Sequence, residues 1–208
     1  MSDAAPIGIM CALPQEQELL VAAIGDPAPL PHPGIEARQG TLDGRAVVIA
    51  AAGVGKVRAA TTATLMVERL SCRALVLSGV AGGLSAHANI GDIVIADRLI
   101  DIDYGRLTPE GRIIYQPGVL PIPDERPDPG YRVPTALLDR VRQRLGETGL
   151  EATLGTILTT DAYLASPRER DELAGEWDGL AVEMEGSALC GVAERFDLPW
   201  LVVRALSD

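Results

Sequence analysis

Short apolar, β-branched runs recur along the chain at Ile7 to Ala12, Ala46 to Ala52, Ala74 to Gly79, Ile93 to Ala96, Thr153 to Thr159 and Leu201 to Ala205. Runs of this length and composition predict buried strands. Between several of them the apolar positions fall at helical spacing, over Glu16 to Ala23, Lys56 to Arg69, Thr135 to Leu145 and Ser187 to Arg195. The alternation of the two patterns predicts an α/β sandwich. Ser166-Pro167, with acidic residues soon after, reads as a helix cap followed by a proline at the first helical position.

One stretch breaks the pattern. From Asp103 to Pro134 the prolines and glycines forbid a long helix or a central strand, so this segment is expected to be mostly loop. It carries Tyr104, Tyr115 and Tyr131, three of the four tyrosines. Long loops inside compact domains are usually functional or disordered. A lid, a subunit contact and a plain surface insertion all fit this one.

The length of 208 residues and the 47% hydrophobic content allow one compact domain with a substantial core. No apolar stretch is long enough to span a bilayer, and the amino terminus lacks the pattern of an export signal, so a cytoplasmic location and no membrane partner are expected. Cys11, Cys72 and Cys190 are far apart, odd in number and embedded in apolar stretches, which indicates neither a disulfide framework nor a metal site. A net charge of -11 repels a phosphate backbone, and an aromatic content of 3% leaves few stacking platforms, so nucleic acid is excluded as a partner.

Gly53-Val54-Gly55-Lys56 stands where a phosphate loop would, after a strand and before a helix. Ala50 and Val57 break the P-loop pattern, and Arg58 breaks the dinucleotide pattern. What remains is a close-packed turn. Ser78-Gly79-Val80-Ala81-Gly82-Gly83-Leu84 sits at the carboxyl end of an apolar strand, where α/β sheets bind ligands, and its small residues let a flat ligand lie against the backbone.

Two further strand ends carry acids, Val182-Glu183-Met184-Glu185 and Arg204-Ala205-Leu206-Ser207-Asp208. Acids beside apolar runs are costly unless paired or used. Glu183 and Glu185 share a face if the strand continues through Glu185. A buried ion pair of Glu183 with Arg204 is the competing account. Glu16 falls in the first turn of the helix after the first strand, where the helix dipole favours an acid for structural reasons alone.

Taken together, GIMCALPQEQELL, GVGKVRAATTATLM, SGVAGGL, NIGDIVIAD, TTDAYLAS, AVEMEG and LPWLVVRALSD resemble the ordered motifs of the methylthioadenosine/S-adenosylhomocysteine nucleosidases, within the nucleoside phosphorylase superfamily. The resemblance covers almost the whole chain. It implies a single-domain, three-layer α/β/α sandwich with a mixed central sheet over residues 1–208, nucleoside phosphorylase-like. It also implies hydrolysis of the N-glycosidic bond of a 5′-substituted adenine nucleoside, with no metal and no organic cofactor, by a homodimer.

By the same resemblance, Glu16 matches the general base that activates water, and Asp208 the acid that protonates adenine at N7. Glu185 corresponds to the carboxylate that grips the ribose hydroxyls, with Met184 against the sugar. Tyr163 matches the aromatic residue that stacks on the base, while Leu164 and Gly82 contribute backbone contacts. Arg204, Ser207 and Glu183 match positions that order water and hold the acids. These residue types suit the chemistry, because departure of adenine leaves an oxocarbenium-like sugar and pushes electrons into the purine, as in two-carboxylate glycoside hydrolysis. Two departures stand out. Val80 occupies a position where many relatives carry a hydroxyl, and the family continues past Asp208 with a further helix, so a missing tail is expected.

The rival readings are a phosphorylase that uses phosphate instead of water, a hydrolase for another adenine nucleoside such as a futalosine-type compound, and a catalytically silent nucleoside-binding protein. A phosphorylase would need cationic side chains around an anion. In place of the usual phosphate segment after the first strand stands CALPQEQ, whose Glu16 would repel phosphate.

Overall fold

The structure is a computed structural model that describes residues 5–84, 88–122 and 128–208. In chain order the elements are β1 (Ile7–Cys11), α1 (Pro14–Ala23), β2 (Gly25–His32), β3 (Ile35–Leu42), β4 (Arg45–Ala51), α2 (Lys56–Glu68), β5 (Ala74–Gly83), β6 (Ile93–Asp101), β7 (Gly105–Thr108), β8 (Gly111–Ile114), β9 (Tyr131–Arg132), α3 (Thr135–Thr148), β10 (Thr153–Thr159), α4 (Pro167–Trp177), β11 (Gly179–Glu183), α5 (Gly186–Arg195) and β12 (Trp200–Leu206). The chain falls into two compact units, Met1–Gly79 with Ala188–Val203, and Val80–Ser187 with Arg204–Asp208.

In the first unit β1 lies between two parallel neighbours, with Ile7 opposite Val47 of β4 and opposite Ala74 of β5. Strand β4 then pairs antiparallel with β3, and β3 with β2. The apolar alternation explains the core: Ile9, Ile24, Val47 and Ile49 are buried together, with Leu20 and Val21 of α1 packed against them. Helix α2 buries Ala59, Thr62, Ala63 and Met66, a spacing that places them on one face. Met66 fits because residue 8 is glycine; a Cβ there would lie 2.9 Å from Met66 Cε.

The second unit is built on β10, which runs parallel to both β6 and β11. The end of β5 pairs antiparallel with β11, Gly82 opposite Val182. Leu84, Ile100, Ile114, Leu158 and Val182 form its core, against which α4 packs Leu173, Ala174 and Trp177. Ser166 caps α4 by accepting a hydrogen bond from the Glu169 N–H at 3.4 Å, with Pro167 at the first turn as the sequence predicts.

Three features differ from the sequence expectation. Strands β2 and β3 were not predicted. Strand β6 continues past Ala96 to Asp101, and β9 pairs with it so that Arg98 faces Arg132. The segment from Asp103 to Pro134 is not loop throughout, because β7 and β8 pair as a separate antiparallel hairpin. Residues 123–127 of that segment lie outside the described residues.

Candidate active site

Arg204, on β12, is completely buried. Its Nη2 donates to Glu183 Oε2 and, at 3.0 Å, to Glu185 Oε2. Burial of one guanidinium against two buried carboxylates is tolerable only with further donors, and Glu183 receives them. Its Oε1 accepts from Thr159 Oγ1 at 2.5 Å and from the Gly186 N–H at 2.9 Å. Its Oε2 accepts from the N–H groups of Glu185 at 3.0 Å and Gly186 at 2.8 Å. These amides belong to the turn into α5, so Glu183 caps that helix while holding Arg204. Glu183 is thus the holding carboxylate of the trio, and Glu185, at the tip of the turn, is the one that Arg204 orients.

Glu183 and Glu185 do not share a strand face as expected, because β11 ends at Glu183 and residues 184 and 185 form a bend. The two carboxylates meet because the chain turns back over Arg204. Met184, between them, is half-buried.

At the end of β12, the Ser207 N–H donates to the Ala81 carbonyl at 3.0 Å, and the Gly83 N–H donates to the Asp208 carbonyl at 3.0 Å. The Asp208 carboxylate accepts from Ser207 Oγ at 3.1 Å and from Arg170 Nη2, on α4, at 3.3 Å. Gly83 eases this approach, since a Cβ there would lie 3.1 Å from the Asp208 carbonyl oxygen, whereas one at Gly82 would meet Asp208 Oδ1 at an ordinary 3.5 Å. Gly82, Glu183, Glu185, Arg204, Ser207 and Asp208 therefore share one unit and one end of its strands.

Tyr163 and Leu164 belong to the same unit, on the irregular segment between β10 and α4. Leu164 packs against the core of Leu84, Ile100 and Leu158, which anchors the segment, while the Tyr163 ring is 77% exposed. Glu16 belongs to the first unit. Its Oε2 accepts from the N–H groups of Ala12 and Leu13, both at 2.8 Å, at the amino end of α1. The turn at Gly53 abuts that loop, with the Gly53 N–H on the Ala12 carbonyl at 2.9 Å and φ of +84° at Gly53, so the glycine is there for backbone geometry.

Sequence reading did not pick out Thr159, Asp101 or Ser187. Thr159 Oγ1 also accepts from the Ser187 N–H at 3.0 Å, and Ser187 Oγ donates to Asp101 Oδ2 at 3.1 Å. A threonine ending a β-branched strand carries no signal of its own, and Asp101 lay beyond the predicted end of β6. Among the described residues no cluster of His, Cys, Asp and Glu is arranged to hold a metal ion.

The family model described as "Phosphorylase superfamily" matches residues 6–208. A 5′-methylthioadenosine/S-adenosylhomocysteine nucleosidase of Mycobacterium bovis is 44% identical over 219 residues, covering 99% of this chain and 86% of the relative. The solved nucleosidase of the same name from S. pneumoniae, described with a transition-state inhibitor, superposes with a TM-score of 0.84 at 29% identity, over 98% of this chain and 85% of that one. A futalosine hydrolase mutant of Helicobacter pylori superposes with a TM-score of 0.85 at 25% identity, over 99% of this chain and 86% of that one. On these matches, and with a mixed sheet ending in paired carboxylates, the chain belongs to the phosphorylase superfamily and, within it, to the 5′-methylthioadenosine/S-adenosylhomocysteine nucleosidase family.

Proposed function

We propose that this protein hydrolyses the N-glycosidic bond of 5′-methylthioadenosine and S-adenosylhomocysteine, releasing adenine. In this reading Glu16 takes a proton from water as the water oxygen bonds to C1′. The C1′–N9 bond breaks, its electron pair passes into the purine, and Asp208 delivers a proton to N7. Glu185 holds the ribose hydroxyls beside the developing cationic sugar, with Met184 packed on its face. Tyr163 stacks on the base, and the backbones of Leu164 and Gly82 border it. Glu183, Arg204 and Ser207 hold the acids in place.

The observation that carries water over phosphate is the environment of Glu16. The N–H groups of Ala12 and Leu13, at a helix start suited to an anion, are both directed at the Glu16 carboxylate at 2.8 Å. A phosphate there would compete for the same donors against a fixed negative charge. A cytoplasmic location, expected from the sequence, belongs to the same reading, and a homodimer rests on the family resemblance; sedimentation of a fully active monomer would refute the latter.

Incubation with methylthioadenosine in phosphate-free buffer, with adenine followed by chromatography, tests the proposal. Adenine release without phosphate is the expected result. Release only on adding phosphate would make the protein a phosphorylase. Release from a futalosine-type nucleoside alone would move the substrate to that of the Helicobacter pylori relative.

A further inference from the structure

The segment 160–166, which carries Tyr163 and Leu164, has no helix or strand of its own. Its first residues are held from outside. Asp103, two residues beyond β6, places both carboxylate oxygens on it: Oδ1 accepts from Thr160 Oγ1 at 2.9 Å, and Oδ2 accepts from the Asp161 N–H at 2.6 Å. Thr160 Oγ1 in turn accepts from the Ala162 N–H at 3.0 Å, so the bonding reaches the residue before Tyr163. Thr160 is buried.

Asp103 is itself fixed from two sides. Its N–H donates to Asp101 Oδ1 at 2.9 Å, and Asp101 Oδ2 accepts from Ser187 Oγ at 3.1 Å, next to the cluster of Glu183 and Arg204. From the β7–β8 hairpin, Arg112 Nη1 donates to the Asp103 carbonyl at 2.8 Å and lies 3.8 Å from its Oδ1. The aspartates at the end of β6 therefore tie the ribose side of the candidate site to the base side. The charge on Asp103 matters, because a carboxylate accepts on both oxygens whereas an amide must turn one donor toward a donor.

We propose that Asp103 is a positioning residue of the reaction, one that sets nucleoside affinity by fixing the segment that bears Tyr163. This rests on the reading that Tyr163 stacks on the purine. A hydrogen bond to a charged group is worth about tenfold or more in an equilibrium constant. Stacking is a ground-state contact, so its loss acts on KM more than on kcat.

Steady-state kinetics on methylthioadenosine, with wild type, Asp103→Asn, Thr160→Val and Thr160→Ser, test the proposal. Asp103→Asn and Thr160→Val should each raise KM by roughly tenfold with kcat little changed, and Thr160→Ser, which keeps the hydroxyl, should behave as wild type. In a Tyr163→Ala background the KM penalty of Asp103→Asn should shrink to about twofold or less, because the group it positions is gone. Should Asp103→Asn fail to fold, Thr160→Val makes the same cut from the other side. Unchanged KM in both single variants, or an equal penalty with and without Tyr163, overturns the proposal alone. No adenine from the wild type overturns the function reading and this inference with it.

Discussion

At the scale of residues, the arrangement around Arg204 joins stability to chemistry. One buried guanidinium faces Glu183 and Glu185, and three donors besides Arg204 converge on Glu183, the Gly186 N–H reaching both of its oxygens. Arg204→Met keeps the bulk but strands two buried carboxylates, and breaking a buried pair in this way costs about 3–5 kcal/mol. Urea unfolding of that variant should show a loss of this size; a loss below about 1 kcal/mol would mean the carboxylates find water or protons cheaply. Glu16 makes the opposite prediction. Glu16→Gln keeps an acceptor for the Ala12 and Leu13 N–H groups, so α1 stays capped, while the base is lost. Turnover should fall by about 10²–10⁴-fold with an unfolding midpoint near that of wild type. A variant that turns over normally would remove Glu16 from the mechanism.

At the scale of elements, the β7–β8 hairpin depends on Gly105. A Cβ built there would sit 2.1 Å from the Ile113 carbonyl oxygen, a backbone atom that cannot swing aside. Gly105→Ala should open the hairpin, and limited proteolysis between residues 105 and 114 should become faster while the remainder of the chain resists. Elements like this mark the limit of what the sequence carries. Strands β1, β4 and β10 are legible because they are short buried runs with turn residues at their ends. Strand β2 is not, because Pro27, Pro29 and Pro31 argue against any strand. It survives as the outermost partner of β3, where the prolines alternate with Ala28, Leu30 and His32, which keep donors for the ladder. Prolines at the alternate positions present carbonyls but no N–H donors, which weakens that edge as a template for another chain. The end of β6 was hidden by Asp97 and Arg98, whose polarity reads as a terminus although Leu99, Ile100 and Asp101 beyond them are buried. That hid Asp101 and left Asp103 unread. Glu183, Glu185 and Asp208 were legible as candidates because a charge beside an apolar run demands an explanation, whereas Glu16, at a helix start, was singled out only by the family resemblance. Their partners Thr159 and Ser187 were not, since a hydroxyl there demands none.

At the scale of the whole molecule, stability should fall at alkaline pH through one thiol. Cys72, between α2 and β5, is 3% exposed, and a Cβ at the neighbouring Gly8 would lie 3.1 Å from its Sγ, so water has little access to a thiolate there. Burial pushes the Cys72 thiol up from 9.0 to about 12. The unfolded chain loses this proton near its ordinary value, while the folded protein keeps it, so between those two limits the unfolded state binds fewer protons. Folding free energy is then undiminished below about pH 9 and declines from there to about pH 12, the interval between the two values. The slope is about 1.4 kcal/mol per pH unit for a single group. Urea unfolding of wild type and Cys72→Ala at pH 8, 9.5 and 10.5 isolates the effect, since every other titrating group is common to both proteins. The alanine variant should start less stable because it leaves a small void, yet lose less with rising pH, so that the two curves converge. Parallel curves would mean that the thiolate reaches solvent or a cation on ionising. The burial that the apolar pattern around Cys72 predicts would then be porous at this point of the first unit.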